Sequence, residues 1–474
     1  MIARERLLML LGAVLLSLVA RVLLLAHQAG DFDEFQLLHG AWNAAHGLLP
    51  YRDFRENHGP APYYLLAPLF WGGHDDAVFF AGRAVAAACG VGALALTYRL
   101  ARLFVARPAA VAAVAMLAWT PIFAVKTIET RPDAFLLLLW LGAVVAYLGG
   151  PGARRAVVAG LVLGVEVWVS PKALFGLVAL TLGALAQGVA SHQARRGLRD
   201  AVLIGLGFLG PVALLALVFL GLGALGPLWR WMILYNFSVP ALLGRPIPDL
   251  LLPSMLALDA FGLAGIVLQA ARPVDGRRVA LATAALVLLV IYLFIMPTPY
   301  LHSVLPALPL VCVLAATVLE RSARRLVWLV AFAGTVVVPM VALVHSGKLW
   351  QRDARLDAQL DIGAYVRAHL APDAPYYGPA AYPITRRSVW FFHVVAGEVA
   401  EALARGRYPP PDIPPLAQVL RHNDCPMLVS GTNWNRSRTP DVARLIARSY
   451  CVAYQRKVDV LEYTVWTADG GCRR

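Results

Sequence analysis

Residues 31–64 read DFDEFQLLHGAWNAAHGLLPYRDFRENHGPAPYY, and they follow directly on a mostly apolar run from Leu7 to Ala26. A run of about twenty apolar residues is long enough to cross a bilayer core of roughly 30 Å. A polar, acidic and aromatic loop after such a run lies against a membrane surface. It brings Asp31, Asp33, Glu34, Asp53, Glu56 and His58 to that boundary. Phe35, Leu38, Trp42 and Ala45 recur at helical spacing, and Gly47 and Pro50 end the pattern. A helix in the interface is expected there, its apolar face toward lipid, with Asp31 or Asp33 at its N-terminal end, where a carboxylate meets unpaired N–H groups. Pro60–Trp71 is too short and too proline-broken to span, so it is expected to lie along the surface.

Outward from this loop the chain is membrane-like. Of its 474 residues, 59% are hydrophobic, well above a soluble domain. About eleven apolar windows of spanning length recur, roughly at 7–26, 78–98, 108–124, 133–150, 156–170, 173–190, 201–223, 251–270, 279–296, 303–320 and 326–345. The first is expected to stay as a helix, because no small-residue cleavage site follows it. The net charge of +14 would suggest nucleic acid in a soluble protein. Here the basic residues fall in alternate short connections: Arg4 and Arg6, Arg99 to Arg107, Arg154 and Arg155, Arg195 to Arg199, Arg272 to Arg278, and Arg321 to Arg325. The positive-inside bias then places the N-terminus in the cytoplasm and the C-terminus outside, and no nucleic-acid partner is expected.

The outer face receives the loop 27–77, the link 125–132, the Ser170–Lys172 turn, the loop 224–250, the turn 297–302 and the tail from 346. The tail mixes charged helical stretches (about 352–370, 393–405 and 440–449) with strand-like runs at Met427–Ser430 and Val458–Thr467, which suggests a small α/β domain. The expected division is 1–345, a transmembrane catalytic domain, and 346–474, an extracytoplasmic α/β domain. Five cysteines are too few for a disulfide framework. If the tail is oxidised, Cys425–Cys451 is the expected pair.

Several outer segments carry chemistry. Asp33-Glu34 reads either as a helix cap with a solvated neighbour or as a general base within reach of a hydroxyl. Gly59-Pro60 forces a turn that presents Glu56 and His58, either as a polar turn or as proton and phosphate ligands. The link Lys126-Thr-Ile-Glu129-Thr-Arg131-Pro132-Asp133 packs charges against two apolar helices. It is either a snorkelling cluster or a site in which Arg131 grips a phosphate, oriented by Glu129 or Asp133. Lys172 is either a snorkelling end residue or a point charge for a leaving phosphate. Glu166, one turn deeper in a span, wants a partner such as Lys172 or Arg131. Tyr300 and His302 share the face of a proline-rich turn. No Gly-rich phosphate loop and no HExxH helix occur, so neither a bound nucleotide nor a metal is expected as cofactor, although Asp31 with Asp33 leaves a divalent ion conceivable.

These segments resemble the lipid-linked-sugar glycosyltransferases of the GT-C fold, and within them the family of protein O-mannosyltransferases and lipid A aminoarabinose transferases. The resemblance rests on Asp33-Glu34 after the first span, on Gly47, Pro50, Tyr51 and Asp53, on His58-Gly59-Pro60 before an aromatic segment, on Arg131-Pro132-Asp133, on the Lys172 turn, and on Tyr300 and His302 leading to Pro306. It covers residues 1 to about 345. Related transferases often carry Lys-Pro-Pro where this chain has His58-Gly59-Pro60, so a cation there would depend on pH. The resemblance implies an all-α polytopic membrane protein with a C-terminal α/β domain, a polyprenyl-phosphate-linked sugar as donor, transfer on the outer face of the cytoplasmic membrane, and inversion at the anomeric carbon. It makes Asp33, with Glu34, the catalytic acids, and Arg131, Lys172, His302 and Tyr300 the donor-phosphate site. Asp53, Glu56, His58, Glu129 and Asp133 would shape the cavity for a glycan, glycolipid or protein acceptor. The main rival is a transporter or flippase for a lipid-linked glycan. It predicts midplane charges and an internal repeat, whereas few such charges, Glu166, Asp259 and Arg83 near a boundary, are found and no repeat is visible.

Overall fold

The computed structural model describes residues 3–72, 75–150, 152–238, 255–271, 275–296, 300–322, 324–378, 383–395, 412–422, 425–431 and 438–468. It divides into two compact units. The first comprises Met1–Ala26, Ala84–Gly221 and Arg245–Gln351, and the second His27–Arg83, Leu222–Gly244 and Arg352–Arg474.

The first unit is helical. Among the described residues, six helices are long and apolar enough to cross a membrane: Arg4–His27, Asp76–Arg102, Ala173–Ala190, Ala194–Gly221, Gly276–Ile295 and Arg325–His345. Arg107–Trp119, Pro132–Leu148 and Leu256–Gln269 are apolar but shorter. The window at 108–124 breaks at Thr120, whose extended backbone (φ −61°, ψ 122°) precedes Pro121, and a short helix Pro121–Lys126 follows. Proline disfavours helical backbone in the residue before it. Arg107–Trp119 is buried at every position from Ala109 to Trp119, and Leu308–Arg321 is nearly as enclosed. A helix apolar all round belongs at the centre of its unit. Ala153–Val167 and Ala194–Gly221 meet backbone to backbone. A Cβ on Gly160 would lie 2.1 Å from the Ile204 carbonyl oxygen, and one on Gly207 would lie 2.4 Å from that of Val157. Small residues at such crossings let membrane helices approach closely.

The second unit gathers the loop after the first long helix and the tail. Its sheet runs in the order β1 (Tyr376–Tyr377), β2 (Met427–Ser430), β4 (Leu461–Ala468), β3 (Tyr450–Val458). β1 and β2 are parallel, and β4 pairs antiparallel with both β2 and β3. The β3–β4 hairpin turns at Asp459, with φ +51°. Helices Ala354–His369, Leu416–His422 and Pro440–Ser449 complete the α/β tail. Residues 396–405 of the helix expected at 393–405 lie outside the described residues. The tail helix is clasped to the loop: Gly30 N–H donates to Gln359 Oε1 at 2.8 Å, and Gln359 Nε2 donates to the Gly30 carbonyl at 3.0 Å.

Two expectations need correction here. The helix Phe32–Ala45 forms where the spacing places it, but its apolar face does not point to lipid. Phe35 and Leu38 are buried within the unit, and Phe35 stacks on Phe79 with centroids 5.4 Å apart. The apolar surface turned outward belongs to the next segment, Ala61–Leu66 with its 3₁₀ turn Ala67–Phe70, where Leu65 is 61% and Trp71 80% exposed. The pair Cys425–Cys451 does not form either. Cys425 is a free, buried thiol, whereas Cys451 is disulfide-bonded.

Candidate active site

In the second unit, Asp31 caps the helix Phe32–Ala45. Its side chain accepts from the Asp33 N–H at 3.0 Å, while Glu34 reaches back to accept from the Asp31 N–H at 2.9 Å. This reciprocal cap occupies orphan N–H groups of the first turn, with Asp31 and Asp33 half-buried and Glu34 buried. Glu34 is fully buried. Arg83 donates to its two oxygens at 2.9 and 2.7 Å, and also to the carbonyls of Gln28 and Ala29 at 2.8 and 3.0 Å, lying over the Phe79 ring. A lone arginine in an apolar window was the available signal, because such a charge needs a partner.

Glu56 lies at the heart of a buried polar network. Its Oε2 accepts from Tyr63 Oη at 2.7 Å and Gln36 Nε2 at 2.8 Å, and its Oε1 meets His393 Nε2 at 3.1 Å. The helix comes this close because residue 40 is glycine: a Cβ there would lie 2.8 Å from the Tyr63 ring and 2.9 Å from Glu56 Oε1. Burial opposes the Glu56 charge. The His393 hydrogen bond and charge, then the His58 charge and the Tyr63 hydroxyl, outweigh it and hold the carboxyl below its ordinary range. His393 Nδ1 faces His39 Nδ1 at 2.6 Å, and His39 Nε2 contacts the Arg386 carbonyl at 2.8 Å. His39 therefore donates at Nε2 and accepts at Nδ1, which makes His393 the donor between the rings. His393 Nε2 faces two oxygens, those of Arg55 and Glu56, so it donates there as well. Neither histidine stood out in the sequence.

His39 is held well below the ordinary histidine range, first by burial and then by the charge of His393, against its bond to Arg386. The sign follows. The unfolded chain takes up a proton near pH 6.5 and the folded chain does not, so the folded state loses stability as pH falls below about 6.5, at up to about 1.4 kcal/mol per pH unit. Between pH 7.5 and 5.5 the wild type should lose more thermal stability than His39→Gln. Equal losses would exclude His39 as the titrating group.

Asp53, expected in a cavity, is instead exposed at the loop. It accepts from Arg52 at 2.9 Å and from the Leu49 N–H at 2.7 Å, and Arg52 chiefly holds it below its ordinary value. It closes a turn in which Tyr51 adopts φ +70° and donates from its hydroxyl to the His58 carbonyl at 2.5 Å.

The first unit holds the cations. Arg131 has extended backbone ahead of Pro132, which opens the helix Pro132–Leu148. Its Nε donates to Asp133 Oδ2 at 3.2 Å, and its Nη1 lies 3.8 Å from Glu129 Oε2. Lys172 donates to the other Asp133 oxygen at 2.8 Å, and Lys126 to Glu129 at 2.7 Å. Asp133 thus bridges Arg131 and Lys172. Arg131 Nη2 lies 3.1 Å from His302 Nε2. A guanidinium only donates, so that nitrogen accepts and the His302 proton sits on Nδ1. Burial first, and then the Arg131 charge, hold His302 well below the ordinary range, against Asp133. Tyr300 stacks on His302 at 5.4 Å with rings 9° from parallel. The link is braced from beneath by Arg21, a residue that sequence reasoning passed over. Its Nη1 donates to Thr127 Oγ1 at 2.6 Å, and its guanidinium covers the Phe123 ring. Glu166 does not pair with Lys172 or Arg131. Its Oε2 is buried and makes no hydrogen bond among the described residues, since both cations are turned toward Asp133.

Arg131, Asp133, Lys172, His302 and Tyr300 thus come together, with Glu129 behind Arg131. Glu34, Glu56 and His58 belong to the second unit, with Asp33 at its helix start. Among the described residues, no group of three or more His, Cys, Asp or Glu is arranged to hold a metal ion.

Residues 57–214 match the family model described as dolichyl-phosphate-mannose-protein mannosyltransferase. No curated protein sequence matches the chain. Among solved structures, ArnT from Cupriavidus metallidurans bound to undecaprenyl phosphate is similar at 15% identity and TM-score 0.64, over 98% of this chain and 99% of that one. The Archaeoglobus fulgidus oligosaccharyltransferase AglB, in complex with an inhibitory peptide and a dolichol-phosphate, is similar at 14% identity and TM-score 0.54, over 98% and 75% of the two chains. The same archaeal enzyme in complex with Zn and sulfate gives 14% and 0.55, over 95% and 72%. The chain is a multi-pass membrane protein with the GT-C glycosyltransferase fold, in which residues 57–214 carry the match to the protein mannosyltransferases.

Proposed function

We propose that the chain is an inverting glycosyltransferase that moves a sugar from a polyprenyl-phosphate donor to a cell-envelope glycan, glycolipid or protein acceptor. It acts on the outer face of the cytoplasmic membrane, with its N-terminus in the cytoplasm and its C-terminus outside. The observation that carries this reading is the Arg131–Asp133–Lys172 bridge at the start of an apolar helix, with neutral His302 held against it. Two fixed cations and an Nδ1–H donor suit a phosphate that gains charge as it leaves. The similar ArnT structure contains undecaprenyl phosphate, which supports the same donor class here.

In the proposed reaction the acceptor hydroxyl oxygen attacks the anomeric carbon. The bond from that carbon to the phosphate oxygen breaks, and the oxygen keeps the electron pair. Asp33 takes the hydroxyl proton, and the rigid Glu34–Arg83 pair orients the turn that carries it. Arg131 and Lys172 meet the growing negative charge, which lowers the barrier only insofar as they bind the transition state better than the ground state. Glu129 and Asp133 hold the cations in place, Tyr300 fixes the His302 ring, and Glu56 and His58 shape the acceptor side. The proposal calls for no cofactor.

Native mass spectrometry of the detergent-solubilised chain with undecaprenyl phosphate tests the donor class. Wild type should bind one lipid, and Arg131→Ala should weaken it about ten- to a hundred-fold, the worth of a charge-assisted hydrogen bond. Failure of the wild type to bind would remove the polyprenyl-phosphate reading.

A further inference from the structure

Arg55 is 1% exposed, and its Nε, Nη1 and Nη2 are all buried without a hydrogen-bond partner among the described residues. It forms no ion pair among them. Burial of an unpaired cation is strongly unfavourable, so a position like this calls for an anion. The carboxylate next in sequence cannot serve, because Glu56 is committed to His393, Tyr63 and Gln36. Nor is the side chain adrift. The Arg55 N–H donates to the Phe391 carbonyl at 2.9 Å, its own carbonyl accepts from His393 at 3.1 Å, and its guanidinium lies over the Tyr235 ring, 4.4 Å from the centroid. Stacking occupies the faces of a guanidinium and leaves its edge, the two-pronged donor that matches a carboxylate or phosphate.

We propose that Arg55 is the receptor for an oxyanion on the acceptor, so that the acceptor is an acidic glycan or glycolipid. This rests on the glycosyltransferase reading and names its substrate class. The first unit supplies its own cations for a donor phosphate, in Arg131 and Lys172. Arg55 belongs to the unit that carries Asp33, the base proposed to act on the acceptor hydroxyl. An acceptor held by its charge at Arg55 is selected before its hydroxyl reacts, and neutral sugars lack that hold.

The full chain in detergent would be titrated with methyl β-glucuronide, methyl β-glucoside 6-phosphate and neutral methyl β-glucoside, with binding read by saturation-transfer NMR. Wild type should bind both acidic glycosides at least about ten-fold more tightly than the neutral one, and Arg55→Gln should bring all three within about two-fold. Arg55→Lys keeps the charge, but not the fork, and should fall between them. It also carries the test if the glutamine variant does not fold. Undecaprenyl phosphate affinity should stay within about two-fold of wild type in either variant. The proposal is overturned if wild type has no acidic preference, or if Arg55→Gln keeps it. It is equally overturned if the variants lose undecaprenyl phosphate and not the acidic glycosides, since Arg55 would then serve the donor. A wild type that prefers acidic glycosides but binds no undecaprenyl phosphate would sink the donor reading and leave Arg55 as an oxyanion receptor.

Discussion

Arg83→Met should destabilise the folded chain by about 3–5 kcal/mol, the usual loss when one partner of a buried ion pair is removed. Glu34 would keep a buried carboxylate that has lost its two bonds from Arg83, at 2.9 and 2.7 Å, and the carbonyls of Gln28 and Ala29 would lose donors at 2.8 and 3.0 Å. The loss belongs to the uncompensated charge more than to the pair itself. The double variant Arg83→Met with Glu34→Gln should therefore recover a substantial part of it. Denaturant titration of the detergent-solubilised protein reads both. A single variant within about 1 kcal/mol of wild type, the range of an exposed pair, would mean that water reaches Glu34.

Asp33→Asn should slow sugar transfer by about 10²- to 10⁴-fold, the span usual for a lost general base, with donor binding intact. The helix start should survive, because the cap uses the Asp33 backbone N–H and the side chains of Asp31 and Glu34. Asp31→Ala is the matching control. It should cost about 1 kcal/mol of stability, as loss of an N-cap does, and leave much of the transfer rate. A rate for Asp33→Asn near that of wild type would take Asp33 out of the chemistry and leave it a turn residue.

Hydropathy located the apolar helices, six of which among the described residues are long enough to span, because a bilayer demands a fixed length of apolar chain. Asp31 at the helix start was legible because a cap is local, whereas the buried return of Glu34 to the Asp31 N–H was not. The Arg131–Asp133 pairing was legible for the same reason. Partners distant in sequence were not. Nothing around Glu34 points to Arg83, and nothing around Arg55 points to His393, 338 residues away. The direction of an apolar face was also hidden, because Phe35 and Leu38 suit a protein interior as well as they suit lipid. Glu166 was assigned the wrong partner for a related reason: the proximity of Lys172 in sequence could not reveal that Asp133 already bridges it to Arg131.

The clasp between Gly30 and Gln359 limits how such proteins can be recombined. Both amide positions of one glycine are satisfied by a side chain 329 residues further on, so a chimaera that takes its outer loop from one parent and its C-terminal portion from another would strand both partners. Exchange between relatives should respect this joint and carry the loop and the C-terminal portion as a single cassette.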